Sequence, residues 1–110
     1  MTFQKKLVLK YIEYFNLHDV KSMSKLFDES VELQDWETNS KGINDVVKAF
    51  QKIFDMTKTI KINLIKIYES YNTIIIDIEI FLNKHDQISV VDIIEFNSDN
   101  KIKKIRAFKG

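Results

Sequence analysis

The chain has 110 residues, which suits one domain with a single continuous core and leaves no room for a second. Apolar residues make up 45% and charged residues 30%, the balance of a soluble globular protein, and the formal net charge of +1 lacks the positive excess of a nucleic-acid binder. With no cysteine, disulfides, thiol catalysis and thiolate metal sites are excluded.

Residues 3–17 are predicted to form an amphipathic helix. Phe3, Leu7, Tyr11 and Phe15 recur every four residues, flanked by Val8 and Ile12, and Thr2 can cap the start. Residues 16–19 break that helix, and Asp19 can cap a short second one that buries Val20, Met23, Leu26 and Phe27. Residues 31–35 then alternate as a short strand, with Val31, Leu33 and Asp35 on one face. A loop over residues 37–42 leads to a third helix, whose stripe is Ile43, Val46, Val47, Phe50, Ile53 and Phe54.

Everything after residue 59 reads as strands. The first covers residues 60–68, and its alternation changes phase between Leu64 and Ile65, the signature of a bulge. The second, residues 73–82, sets Ile74, Ile76, Ile78 and Ile80 on one face. Its other face carries Ile75, Asp77, Glu79 and Phe81. Residues 83–86 form a hairpin loop, the third strand covers residues 88–96, and the last covers residues 102–108. Helices first and strands later make the class α+β. The expected architecture is a cone, in which a curved antiparallel sheet wraps the N-terminal helices and leaves a cavity at its open end.

Asp92 stands out within this pattern. It interrupts the run Val90, Val91, Asp92, Ile93, Ile94, so its carboxyl group lies among aliphatic side chains whichever face is buried. Desolvation resists ionisation, and a neutral carboxylic acid is a hydrogen-bond donor. Pairing with a cation such as Arg106 on the neighbouring strand would instead lower the pKa and remove that role. His18 and His85 fall in turns and read as solvated, and no spacing resembles a metal site.

The element order resembles the nuclear transport factor 2-like superfamily, and several motifs resemble its ketosteroid isomerase and SnoaL-like branch. The first helix carries Tyr11, Asn16 and Asp19 at that family's spacing. The similarity continues through Leu26 and Phe27 to Asp35, then at Gly42, Val46 and Phe50. It returns at residues 92–97, at Lys101 and Ile102, and at residues 105–107. The resemblance implies that Asp35 is a general base, that Tyr11 is an oxyanion tyrosine, and that Asp92 is a protonated acid beside it. Phe15, Phe27, Trp36, Phe50 and Ile94 are the candidate pocket lining. Trp36 stands where the family usually has proline, and it can line the pocket mouth or cover a dimer contact.

The activity so implied is a cofactor-independent proton shift on a small hydrophobic ketone. A related lyase or cyclase reaction in the same pocket is an alternative, as is a non-catalytic binding or dimerisation domain. The partners expected are a small hydrophobic molecule and a second copy of the chain meeting through the sheet. No cofactor, metal, nucleic acid or membrane is expected. No apolar run approaches membrane-spanning length and no signal peptide is read at the start, so the expected location is the cytoplasm.

Overall fold

The computed structural model describes residues 2–110. Helix α1 (Phe3–Asn16) opens on Thr2, whose hydroxyl accepts the Lys5 backbone N–H, and buries Val8, Tyr11, Ile12 and Phe15. A short α2 (Val20–Ser24) is capped by Asp19, which accepts hydrogen bonds from the Ser22 N–H and hydroxyl. Strand β1 (Phe27–Gln34) leads through a tight turn into β2 (Asn39–Lys41), and then α3 (Ile43–Met56) buries Val46, Phe50 and Phe54. Four long strands follow: β3 (Lys61–Ser70), β4 (Thr73–Phe81), β5 (Gln87–Phe96) and β6 (Ile102–Lys109).

The six strands form one sheet in the order β2-β1-β6-β5-β4-β3. The arrangement is the α+β cone expected from the element order, with two differences. First, the segment predicted as a loop over residues 37–42 contains β2, paired antiparallel to β1 at Leu33 and Ser40. Three residues of Asn, Ser and Lys carry no apolar alternation, so only the hairpin geometry reveals them as a strand. Second, the sheet is not wholly antiparallel, because β1 runs parallel to β6 with Leu33 beside Ile105. Phe27, expected at the end of the second helix, instead heads β1 and faces Ile102.

The predicted phase change in β3 is a bulge. Leu64 pairs with Ile78 and Lys66 with Asp77, leaving Ile65 as the extra residue. Bulges bend and twist a sheet, and this one lies on its outermost strand, where curling brings β3 around α1. Gly42 joins β2 to α3 at φ 87°, a conformation that an L side chain would strain, and its N–H donates to Val31 O at 2.8 Å.

The inner face of the sheet and the helices share one core. Ile74, Ile76 and Ile78 of β4, Val90, Ile94 and Phe96 of β5, and Ile102 and Ile105 of β6 are all buried there. Asp92 is the one charged residue buried among the described residues, and it sits in the middle of this set. The outer face keeps Ile65, Tyr68, Val91 and Phe108 exposed. No helix of the described residues is long and apolar enough to cross a membrane.

Candidate functional site

Between the open end of the sheet and the flank of α3 lies a cavity of about 770 Å3 that opens to solvent. This is within the range of small-molecule sites, roughly 300–1,000 Å3. Tyr11, Asp35 and Asp92 all border it, although they come from α1, the end of β1 and the centre of β5.

Strand alternation determines where Asp92 points. Val90, Asp92, Ile94 and Phe96 are buried in turn, while the residues between them face outward. Across the ladders Asp92 lies opposite Ile76 of β4 and Ala107 of β6, so its immediate neighbours are apolar. The residue is 5% exposed. Burial, and then the negative charge of Asp35, push its carboxyl pKa up to about 7. Among the described residues no ion pair to Asp92 offsets this. Arg106 lies opposite Ile93 rather than Asp92, which turns its side chain to the outer face of the sheet. There its Nε is 3.8 Å from Glu95 and its guanidinium lies over the Phe108 ring. The pairing of Asp92 with Arg106 is therefore excluded by register.

Tyr11 projects from the buried stripe of α1 with its ring against Phe50 and Phe15, at centroid distances of 6.1 and 6.5 Å. Burial, and then the charge of Asp92, hold its hydroxyl pKa well above the ordinary phenol value. The phenol stays protonated at neutral pH and is available as a donor. Tyr11, and Asp92 in the protonated form that its burial favours, can thus each present an O–H group to the cavity.

Asp35 follows the last residue of β1 and performs a structural task. Its Oδ1 accepts the N–H groups of Glu37 at 2.7 Å and Thr38 at 2.6 Å, closing the turn to β2. Its own N–H donates to Thr38 O at 2.9 Å. This Asx turn fixes the carboxylate and leaves Oδ2 outside the turn's hydrogen bonds.

Of the candidate lining residues, Phe15, Trp36 and Phe50 border the cavity, whereas Phe27 and Ile94 do not. Phe27 stacks on Phe50 at 5.9 Å in the core, so it supports the wall rather than forming it. Ile94 lies two residues beyond Asp92 on β5, opposite Ile74 and Ile105, where the cone is already filled. The wall is instead completed by Ile60, Ile62, Ile80, Leu82, Ile88 and Val90. Their inward phase was legible from alternation. That this end of the sheet borders a cavity rather than a helix was not.

His18, expected to be solvated, is docked. Its Nε2 is 3.0 Å from Ile60 O and its ring stacks on Phe54 at 4.5 Å. The family-like spacing on α1 also separates into roles. Asn16 bonds both backbone groups of Ile62, donating to its O at 3.0 Å and accepting from its N–H at 2.7 Å. Asp19 caps α2. Both are architectural, and only Tyr11 of the three borders the cavity. Among the described residues no group of three or more His, Cys, Asp or Glu side chains is placed to hold a metal ion.

No protein-family model matches the chain, and no curated protein matches its sequence. Solved structures do match its fold. A nuclear transport factor 2-like protein of unknown function from Cytophaga hutchinsonii superposes with a TM-score of 0.85 at 14% identity, covering 100% of this chain and 92% of that one. The epoxide hydrolase/cyclase-like enzyme SalBIII, described as acting in pyran ring formation in the polyether salinomycin, gives 0.83 at 19% identity, covering 97% and 90%. A candidate isomerase of the SnoaL-like family from Agrobacterium tumefaciens gives 0.86 at 13% identity, covering 100% and 99%. The chain therefore has the nuclear transport factor 2-like fold that SnoaL-like proteins share.

Proposed function

We propose that the protein is a cofactor-independent isomerase that shifts a double bond in a small hydrophobic ketone. The observation that carries this reading is the convergence of Tyr11 and the buried Asp92, whose burial favours its protonated form, on one cavity with a wall of isoleucines that Asp35 also borders. Asp35 removes a proton alpha to the carbonyl through Oδ2. The C–H electron pair forms the enolate double bond, and the carbonyl pair moves onto oxygen. Tyr11 and neutral Asp92 donate hydrogen bonds to that oxygen, where charge develops in a site largely shielded from water. Asp35 then returns the proton to the gamma carbon, which restores the carbonyl and leaves the double bond conjugated. No electrons or protons are gained or lost overall, so no cofactor enters the balance.

A second reading is supported by the structural likeness to the epoxide hydrolase/cyclase-like enzyme. The same carboxylate and donor pair suits a cyclisation in which Asp35 deprotonates a nucleophile and Tyr11 or Asp92 protonates the leaving oxygen. The fold also hosts non-catalytic binders, and fold alone does not choose among these readings. The deciding experiment follows the ultraviolet absorbance of a beta,gamma-unsaturated steroid ketone and of a small cyclic beta,gamma-unsaturated ketone as each becomes conjugated. Turnover that Asp35→Asn removes supports the isomerase. Absence of turnover with both compounds overturns it.

A further inference from the structure

A second, smaller hollow of about 280 Å3 lies on the outer side of the sheet, between the end of β1 and β6. It is walled by Gln34, Arg106 and Phe108, and it shares Asp35, Trp36, Ala107 and Lys109 with the main cavity. These four residues form a common partition. Ala107 is small, and the Asp35 carboxylate is tethered to the turn by two backbone N–H groups. The bulk of the partition is therefore the Trp36 indole, with the Lys109 ammonium 5.9 Å from its ring centroid. Trp36 is 44% exposed and the chain's single tryptophan. It borders both the main cavity and the outer hollow and is the next residue after the candidate base.

We infer that Trp36 determines substrate size, by closing the cavity to a second apolar arm on the side of the carbonyl that Asp35 deprotonates. The inference rests on the reading of the cavity as a ketone site. A ketone held at Tyr11 and Asp92 sends one arm along the isoleucine wall and the other past Asp35. That second arm meets the indole after a short distance. Without the indole it continues into the outer hollow, against the Phe108 ring and the aliphatic stem of Arg106. The hollow's 280 Å3 beside the cavity's 770 Å3 offers space for several further carbons. The class selected is thus ketones with one long apolar arm and one short one.

The test is displacement of a neutral phenylnaphthylamine dye by heptyl ketones whose second arm grows from methyl to butyl. In the wild type, affinity is expected to fall as the second arm lengthens. In Trp36→Ala the order is expected to reverse, with a gain of about fourfold per methylene buried. Trp36→Phe, which keeps a smaller ring, falls between them. The rank order is the readout, because general loosening of the fold would weaken all ketones alike. If wild type and Trp36→Ala rank the series identically, the size role is overturned while ketone binding stands. If no ketone displaces the dye from the wild type, the ketone-site reading fails and this inference fails with it.

Discussion

Asp35 and Thr38 bond each other in both directions, the Asp35 N–H donating to Thr38 O at 2.9 Å and the Thr38 N–H donating to Asp35 Oδ1 at 2.6 Å. The candidate base is therefore also the residue that folds the β1–β2 turn. Two substitutions separate these tasks. Asp35→Asn keeps the Oδ1 acceptor but not the basic carboxylate, so turnover is expected to drop by roughly 10²–10⁴ with the fold retained. Asp35→Ala also leaves two backbone N–H groups to water in place of their acceptor, and is expected to cost a further ~0.5–1.5 kcal/mol in urea unfolding. Equal stability of the two variants would show that the turn does not depend on the side chain.

Activity should depend on the proton on Asp92. Since its pKa is about 7, the donor form predominates below that pH and is lost above it. On this basis kcat/KM is expected to fall as pH rises through about 7, measured by initial rates on the conjugation assay. Asp92→Asn cannot ionise, so its profile should lose that limb while its plateau rate is lower. A limb that persists in Asp92→Asn would assign the titration to another group.

Stability carries the same signature with a definite sign. The Asp92 pKa is raised from an ordinary 3.8 to about 7, so between these values the folded chain keeps a proton that the unfolded chain has released. Its contribution is full below the ordinary carboxylate pKa and is lost as pH rises through about 7. At 1.36 kcal/mol per pH unit the loss amounts to ~4 kcal/mol. Asp19 and Asp28 have pKa values lowered mainly by hydrogen bonds from serine, and these act in the opposite direction. The difference between wild type and Asp92→Asn isolates the buried group. Urea unfolding from about pH 4 to about pH 8 should show the wild type losing stability relative to Asp92→Asn. A constant difference across that range would mean the carboxyl titrates normally.

Asn16 joins α1 to the edge strand β3 through both backbone groups of Ile62. Asn16→Ala removes a donor and an acceptor together, with an expected cost of ~1–3 kcal/mol. The Ile62 amide should also exchange its hydrogen faster than in the wild type. Unchanged exchange at Ile62 would show that water replaces the side chain without loss. Ile60 and Ile62 border the cavity, so loosening β3 is expected to weaken dye binding as well.

What the sequence by itself determined is periodic and local. Alternation around Asp92 sets its carboxyl among aliphatic side chains whichever face is buried, and the four-residue recurrence through Tyr11 and Phe15 sets the phenol on the buried side of α1. The phase change at Ile65 shows the bulge because a bulge reverses that alternation. The tertiary structure decided everything that depends on register between distant segments. Opposite Asp92 stands Ala107 and not Arg106, a difference of one residue that sends the cation to the other face of the sheet. The parallel docking of β1 beside β6 brings Asp35 and Trp36 against Ala107 and Lys109, which no local pattern encodes. Residues such as Phe27 and Ile94 look the same in sequence as those that line the cavity. Only the packed cone separates a wall facing space from a wall facing other side chains, because that distinction rests on where the helices stop covering the sheet.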